Sequence, residues 1–255
     1  MGRRWEGYRK VRKRVGRKIM RRAVELGYSS LKEYQDFLVA DRDEWARLDP
    51  LLDVTISRFY RDRAVFDFID REVVPALLRS AASSGCSEVR AWSVGCANGE
   101  EPYTLALMWE FADKPAGAPD LRILATDVKP SVLLRAKAAR YPGSSVRDLP
   151  TQWREAAFDQ VDDALLLAPR YRNRVTFVEH DIRDDPPDGH FDLVLCRYQA
   201  FTYFDDAGQR RTLDALAEVT RPGSVLVLGS REKLPSGVAN FRPLEERLGV
   251  FVRCG

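Results

Sequence analysis

Over residues 8–26 apolar side chains recur at helical spacing. Tyr8, Val11, Val15, Ile19, Ala23 and Leu26 form one stripe, and Arg9, Arg12, Lys13, Arg17 and Arg21 fall largely off it. Gly27 is placed to end that helix. Ser30 and Glu33 make a capping-box pattern, which predicts a second helix burying Leu31, Tyr34, Phe37 and Leu38. A short third helix is predicted over 44–48, stopped near Pro50, and a fourth over 64–80 with Val65, Phe66, Ile69, Val73 and Leu77 on one face. Beyond the polar stretch 80–87 the period changes. Apolar runs near 91–94, 121–127, 175–178, 191–196, 225–229 and 250–252 read as strands. Helical patterns over 103–112, 131–139 and 209–220 separate several of them. This alternation predicts an α/β fold with a mostly parallel sheet. Ala164 to Ala168, beside Arg170-Tyr171-Arg172, reads as a small β-hairpin inserted near 159–174. The expected organisation is a small all-α domain at 1–60 and an α/β domain at 61–255.

The most informative stretch joins the first strand to the helix after it: Ser93-Val-Gly95-Cys-Ala-Asn-Gly99-Glu-Glu101-Pro102. Strand, glycine loop and helix start form the layout of a cofactor site in an open α/β sheet. Pro102 falls in the first helical turn, where proline is tolerated. Glu100 and Glu101 stand where a dinucleotide's pyrophosphate would rest on the helix N-terminus, and two carboxylates there repel phosphate. They suit a phosphate-free cofactor with a cationic end, which points to S-adenosylmethionine. Simple complementation of the helix dipole is the competing reading. Asp127 ends the second strand, at an expected exposed position suited to accept ribose hydroxyls, and Lys129-Pro130-Ser131 open the next helix.

Composition narrows the class. The 255 residues are 45% hydrophobic and 31% charged, as in a globular protein. No apolar run is long enough for a membrane span, and the N-terminus has no apolar core of a secretory signal. Cys86, Cys96, Cys196 and Cys254 lack metal spacing, and there are only two histidines, so no metal site is expected. Reduced thiols fit a cytoplasmic location. The net charge is only +3, yet residues 1–22 carry eleven Arg or Lys and one Glu, which leaves the rest net acidic. A basic helix on an acidic body predicts an anionic macromolecular partner. No basic stretch interleaved with aromatics suggests nucleic-acid binding.

The motif order resembles the chemotaxis receptor methyltransferases of the CheR type. Their T-x-F-F-R, S-x-G-C-S-x-G-E-E-P-Y-S, A-T-D-I and F-D-x-I-x-C-R-N-x-x-I-Y-F patterns are matched by Ser57–Arg61, Ser93–Thr104, Ala125–Val128 and Phe191–Arg197 followed by Tyr203-Phe204. Arg221-Pro-Gly223 and a strand come next. The resemblance covers nearly the whole chain and implies a class I methyltransferase (Rossmann-like) fold. It implies S-adenosylmethionine as cofactor, with S-adenosylhomocysteine as product, and a glutamate carboxylate as acceptor. It carries cofactor contacts to Thr55, Ser57, Arg61, Gly95, Glu101, Asp127, Asp181, Ile182 and Arg197, and active-site roles to Arg61 and Tyr203. It also places an acidic, receptor-like protein substrate on the basic N-terminal helix.

Two departures stand out. Tyr198 follows Arg197 where the family has Asn, and the segment from Arg197 to Tyr203 is one residue longer than the family spacing. Asp181 stands where Asn is usual. A methyltransferase of the same fold acting on a small molecule, and a non-catalytic S-adenosylmethionine-binding module, are the alternatives. His180 is the one histidine placed to act as a base, and a loop histidine is its plainer reading.

Overall fold

The computed structural model describes residues 3–52 and 57–255. The chain divides into two compact units, residues 4–56 and a larger unit holding 57–255.

The small unit is helical: a 3-10 turn Trp5–Tyr8, then α1 (Arg12–Glu25), α2 (Leu31–Ala40) and α3 (Arg42–Leu52). Tyr8 is buried but precedes α1 instead of starting it. The Ser30 cap forms: its Oγ accepts from the Glu33 N–H at 3.2 Å, and the Glu33 carboxylate takes the Ser29 N–H at 3.1 Å. Leu31, at the first helical position, stays 43% exposed, so the buried face is narrower than the periodicity predicts. Ala23, Tyr34, Leu38 and Leu48 form the core. α3 starts at Arg42 because the Asp41 carboxylate caps it, accepting from the Asp43 and Glu44 N–H groups at 2.9 Å each. Within this core Glu44 is 1% exposed and held by a bidentate Arg22 guanidinium at 2.7 and 2.8 Å and by the Tyr34 hydroxyl at 2.7 Å. Those donors hold its carboxyl down at about 2.

The large unit opens with α4 (Arg63–Phe68), a π turn (Ile69–Val73) and α5 (Val74–Ser84). Pro75 lacks an N–H, and the ladder widens just before it: the Val74 N–H bonds five residues back, to Ile69. Next come β1 (Glu88–Val94), α6 (Glu100–Phe111), β2 (Asp120–Asp127), α7 (Pro130–Ala138) and the two-residue β3 (Arg140–Tyr141). α8 (Thr151–Ala157), β4 (Phe158–Val161), β5 (Ala164–Leu167) and α9 (Pro169–Arg172) lead to β6 (Val175–Glu179). After β7 (Phe191–Cys196) come α10 (Ala200–Tyr203), α11 (Asp206–Glu218), β8 (Thr220–Leu228), β9 (Phe241–Glu245) and β10 (Val250–Arg253).

Seven strands form one sheet in the order β6-β2-β1-β7-β8-β10-β9. All neighbours are parallel except β10, which runs antiparallel to β8 and β9. This is the class I methyltransferase arrangement expected from the sequence. β9 escapes the sequence pattern because it is an edge strand with three exposed residues in a row and a proline. β3, β5 and β4 form a separate three-stranded sheet with a β4–β5 hairpin. The order reverses between β1 and β7, the switch point at whose carboxyl edge open α/β sheets bind ligands. Trp92 and Leu195 fill the sheet interior there, which fixes the positions of Gly95 and Arg197 just past the two strand ends. Among the described residues no helix is long and apolar enough to cross a membrane, and no metal-binding cluster occurs. All four cysteines are free thiols.

Candidate active site

Three segments converge at the switch point. The first is the glycine loop between β1 and α6. Gly95 has φ +68° and Gly99 φ +88°, in the left-handed region. A Cβ on Gly95 would lie 2.0 Å from the Gln199 amide nitrogen, so this position admits no side chain unless Gln199 moves. The loop is tied to β2: the Cys96 N–H bonds the Thr126 carbonyl at 2.8 Å, and the Ala97 N–H bonds Asp127 Oδ2 at 3.0 Å.

Asp127 is buried, at 8% exposure, not at the exposed strand end that the sequence suggests. Its other oxygen, Oδ1, accepts from the Lys129 N–H at 3.0 Å. The carboxylate therefore shapes the loop, tying it to the start of the next helix.

α6 supplies the two glutamates. Glu101 accepts from Ser93 Oγ at 2.8 Å and from Arg197 Nη1 at 3.0 Å. Burial pushes its carboxyl up, while Arg197, Ser93 and the nearby Arg61 charge pull it back. Glu100 is 2% exposed, and its Oε2 has no hydrogen-bond partner among the described residues. Burial raises its carboxyl, and the backbone and the Ser57 and Asn98 side chains oppose that rise.

Arg197, past the end of β7, organises the second segment. Its side chain is only 2% exposed. Besides Glu101, it donates through Nη2 to the Arg61 carbonyl at 2.9 Å and to Asp62 Oδ2 at 2.7 Å. It thereby clamps the third segment, Ser57–Asp62, whose Tyr60 and Asp62 adopt left-handed φ of 55° and 63°. The Tyr60 N–H bonds Thr104 Oγ1 on α6 at 3.1 Å, a second tie. The Arg61 guanidinium lies over the Tyr198 ring, 4.2 Å from its centroid. Burial and the bond to Asp62 push the Tyr198 phenol upward, so it stays a neutral donor.

The structure thus brings Ser57, Arg61, Gly95, Glu101, Asp127 and Arg197 to one edge of the sheet. Thr55 lies outside the described residues. Asp181 and Ile182 follow β6: Ile182 is buried, and the Asp181 carboxylate accepts from Arg183 through its main-chain N–H at 2.9 Å and its guanidinium at 2.6 Å. Tyr203 ends α10, half-buried and packed on a buried cluster that includes Trp92, Phe201, Phe204 and Leu226. His180 Nε2 meets the Asp185 carbonyl at 2.9 Å, and its ring packs edge-on to Trp92.

Three residues of this edge escape sequence reasoning: Asp62, Gln199 and Glu232. Glu232 sits in Arg231-Glu232-Lys233, which reads as surface charge, yet it is 7% exposed and accepts from the Tyr198 and Gly229 N–H groups at 2.8 and 2.7 Å. Gln199 has a signal in spacing. If the extra residue is Tyr198, then Gln199-Ala-Phe-Thr-Tyr203-Phe204 falls into register with N-x-x-I-Y-F. Tyr198 is left-handed, with φ 57°, and Gln199 places an amide over Gly95, both in keeping with that register.

The donor set fits S-adenosylmethionine and not a dinucleotide. Asp127, at the end of β2, is an acceptor of the kind that ribose hydroxyls require. The Glu100 oxygen without a partner among the described residues and the Glu101 carboxyl set acceptors at the helix start, where a pyrophosphate would need N–H donors.

Comparisons with known proteins agree. The family described as "CheR methyltransferase, SAM binding domain" matches residues 55–250. A chemotaxis protein methyltransferase of Listeria monocytogenes is 32% identical over 218 residues, covering 86% of this chain and 80% of that protein. An uncharacterized 104.1 kDa protein of Rhodobacter capsulatus is 34% identical over 93% of this chain and 25% of its own length. A probable biofilm formation methyltransferase of Pseudomonas putida, WspC, is 30% identical over 90% of this chain and 54% of its own. Among solved structures, the glycopeptide N-methyltransferase MtfA with bound S-adenosylmethionine gives a TM-score of 0.36 at 15% identity, over 69% of this chain and 63% of that one. The chain belongs to the CheR methyltransferase family, and its large unit holds the family's S-adenosylmethionine-binding domain.

Proposed function

We propose that the protein esterifies glutamate side-chain carboxylates of a chemoreceptor or receptor-like protein. The observation that carries this reading is the Arg61 guanidinium, stacked on Tyr198 beside the Glu101–Arg197 pair. A glutamate carboxylate is ionised at neutral pH, with an unperturbed pKa of about 4.3, and needs no general base. It must be oriented, stripped of water and left with one lone pair free. A guanidinium meets these needs through its planar pair of N–H donors. Tyr203 is assigned a neutral second contact to the acceptor.

S-adenosylmethionine, when bound, supplies an electrophilic methyl on a sulfonium. Asp127 is assigned its ribose, Glu101 its methionyl amino group, and Asp181 with Ile182 its base. Gln199 takes the place of the family's asparagine amide, and Arg197 holds Glu101 in position. Thr55, Ser57 and Gly95 complete the assigned contacts.

The basic helix α1 is assigned to substrate docking, with an acidic receptor helix as its partner. Arg9, Arg12, Lys13, Arg14, Arg17 and Arg21 are exposed. Their charge acts on an approaching acidic segment over about 8 Å at physiological salt.

Transfer of tritiated methyl from S-adenosylmethionine to membranes of the source cell tests the reading. Protein-bound label that mild base releases as methanol supports a methyl ester. Base-stable label, or label only in small molecules, contradicts it.

A further inference from the structure

We propose that Tyr198, the residue by which this chain lengthens the Arg197–Tyr203 segment, is a positioning residue for Arg61. Its ring is the platform that holds the guanidinium ready for the acceptor carboxylate. This inference rests on the carboxylate-acceptor reading above.

Four restraints converge on Tyr198. Its backbone is left-handed, with φ 57°, a region a non-glycine residue holds only where its surroundings impose it. Its N–H is held by the buried Glu232 carboxylate at 2.8 Å. Its hydroxyl donates to Asp62 Oδ2 at 2.6 Å and meets Ser230 Oγ at 3.1 Å. Its ring lies against Gly229, where an added Cβ would come within 2.6 Å of it, so the end of β8 must be glycine for the ring to seat. The same Glu232 carboxylate accepts from Gly229 N–H and Thr202 Oγ1, locking the ends of β7 and β8 and α10 around the tyrosine.

One side of the ring is thus pressed on the β8 end, and the Arg61 guanidinium lies over it 4.2 Å away. A ring under one face of a guanidinium fixes the plane in which its N–H fork meets a carboxylate. The hydroxyl acts in the same direction. Asp62, next to Arg61 in the chain, has its Oδ2 taken by both Tyr198 and Arg197. These two bonds fix the residue that follows Arg61 and so restrain the backbone from which the guanidinium extends.

The test compares wild type with Tyr198→Leu, which fills space but has no ring face, and Tyr198→Phe, which keeps the ring and loses the hydroxyl. Initial rates of base-labile methyl transfer to a receptor substrate give kcat and KM. Calorimetric titration with S-adenosylhomocysteine gives product affinity. The Leu variant is expected to lose at least about tenfold in kcat/KM, and the Phe variant less than about threefold, with product affinity held within about threefold in both. In an Arg61→Ala background the Leu substitution should have almost no further effect, because Tyr198 acts through Arg61. A Leu variant with wild-type kcat/KM overturns the proposal, as does a loss that simply multiplies that of Arg61→Ala. If Tyr198→Leu does not fold, the Phe variant decides: retained kcat/KM supports the ring platform, and a loss of tenfold or more overturns it. Failure of wild type itself to form base-labile ester would refute the carboxylate reading first and this inference with it.

Discussion

Replacing Asp127 with Ala should weaken cofactor binding and destabilise the fold together. The carboxylate receives two backbone N–H groups, from Ala97 and Lys129, at 3.0 Å each. A hydrogen bond to a charged acceptor contributes about 1.5–3 kcal/mol. The Lys129 amide is partly exposed and can turn to water, whereas the Ala97 bond is buried. The net cost to folding is therefore about 2–3 kcal/mol, dominated by the stranded Ala97 donor. For a chain of this size that lowers Tm by roughly 5–10 °C. Loss of a charged contact to the ribose costs a further 1.5–3 kcal/mol or so in binding, about ten- to a hundredfold in Kd for S-adenosylhomocysteine. Scanning calorimetry without ligand and calorimetric titration below the melting range read the two effects separately. Unchanged affinity would refute the ribose assignment. An unchanged Tm would refute the claim that Asp127 holds the glycine loop.

Arg61→Ala should lower turnover by at least about tenfold with a smaller effect on product affinity, because orientation of the acceptor is lost; Tyr203→Phe should do the same more weakly, and steady-state kinetics with a receptor substrate check both. Reversing Arg9, Lys13 and Arg17 to Glu should raise KM for a protein acceptor at low salt and leave cofactor affinity unchanged, and raising salt from about 50 to 300 mM should weaken wild type more than the variant. Glu44 has its folded carboxyl held at about 2, below its ordinary 4.5, so its pair with Arg22 stabilises the helical unit fully above the unfolded pKa, and that contribution fades as pH falls from about 5 toward 2. Amide protection factors in α2 and α3, corrected for the intrinsic slowing of exchange in acid, should fall over that window in wild type, while Glu44→Gln should be less protected above it and lack this step.

The features legible in the sequence are those whose reason is local. Gly95 and Gly99 mark a tight loop, Ser30 and Glu33 a helix start, and the alternation of strands and helices the parallel sheet. What escaped depends on partners distant in the chain. Glu232 looks like an ordinary surface charge, yet it is buried where the β7 and β8 ends meet, accepting from the Tyr198 and Gly229 N–H groups. Asp127 reads as an exposed strand end, and it is buried because the glycine loop folds back onto it. The register at Tyr198 could not be fixed from spacing alone, since a one-residue lengthening between Arg197 and Tyr203 fits several placements. Its left-handed backbone and the Gln199 amide over Gly95 favour one of them.

The chemical identity of the acceptor decides between a carboxyl methyltransferase and any other. Incubating the protein with deuteromethyl-labelled S-adenosylmethionine and a purified receptor cytoplasmic fragment, followed by peptide mass spectrometry, locates the transferred methyl. Label is expected on glutamate side chains, removed by mild base and strongly reduced in the Arg61→Ala variant. Label on lysine, arginine, cysteine or a hydroxyl side chain, or label that survives base, would contradict the carboxylate-acceptor reading.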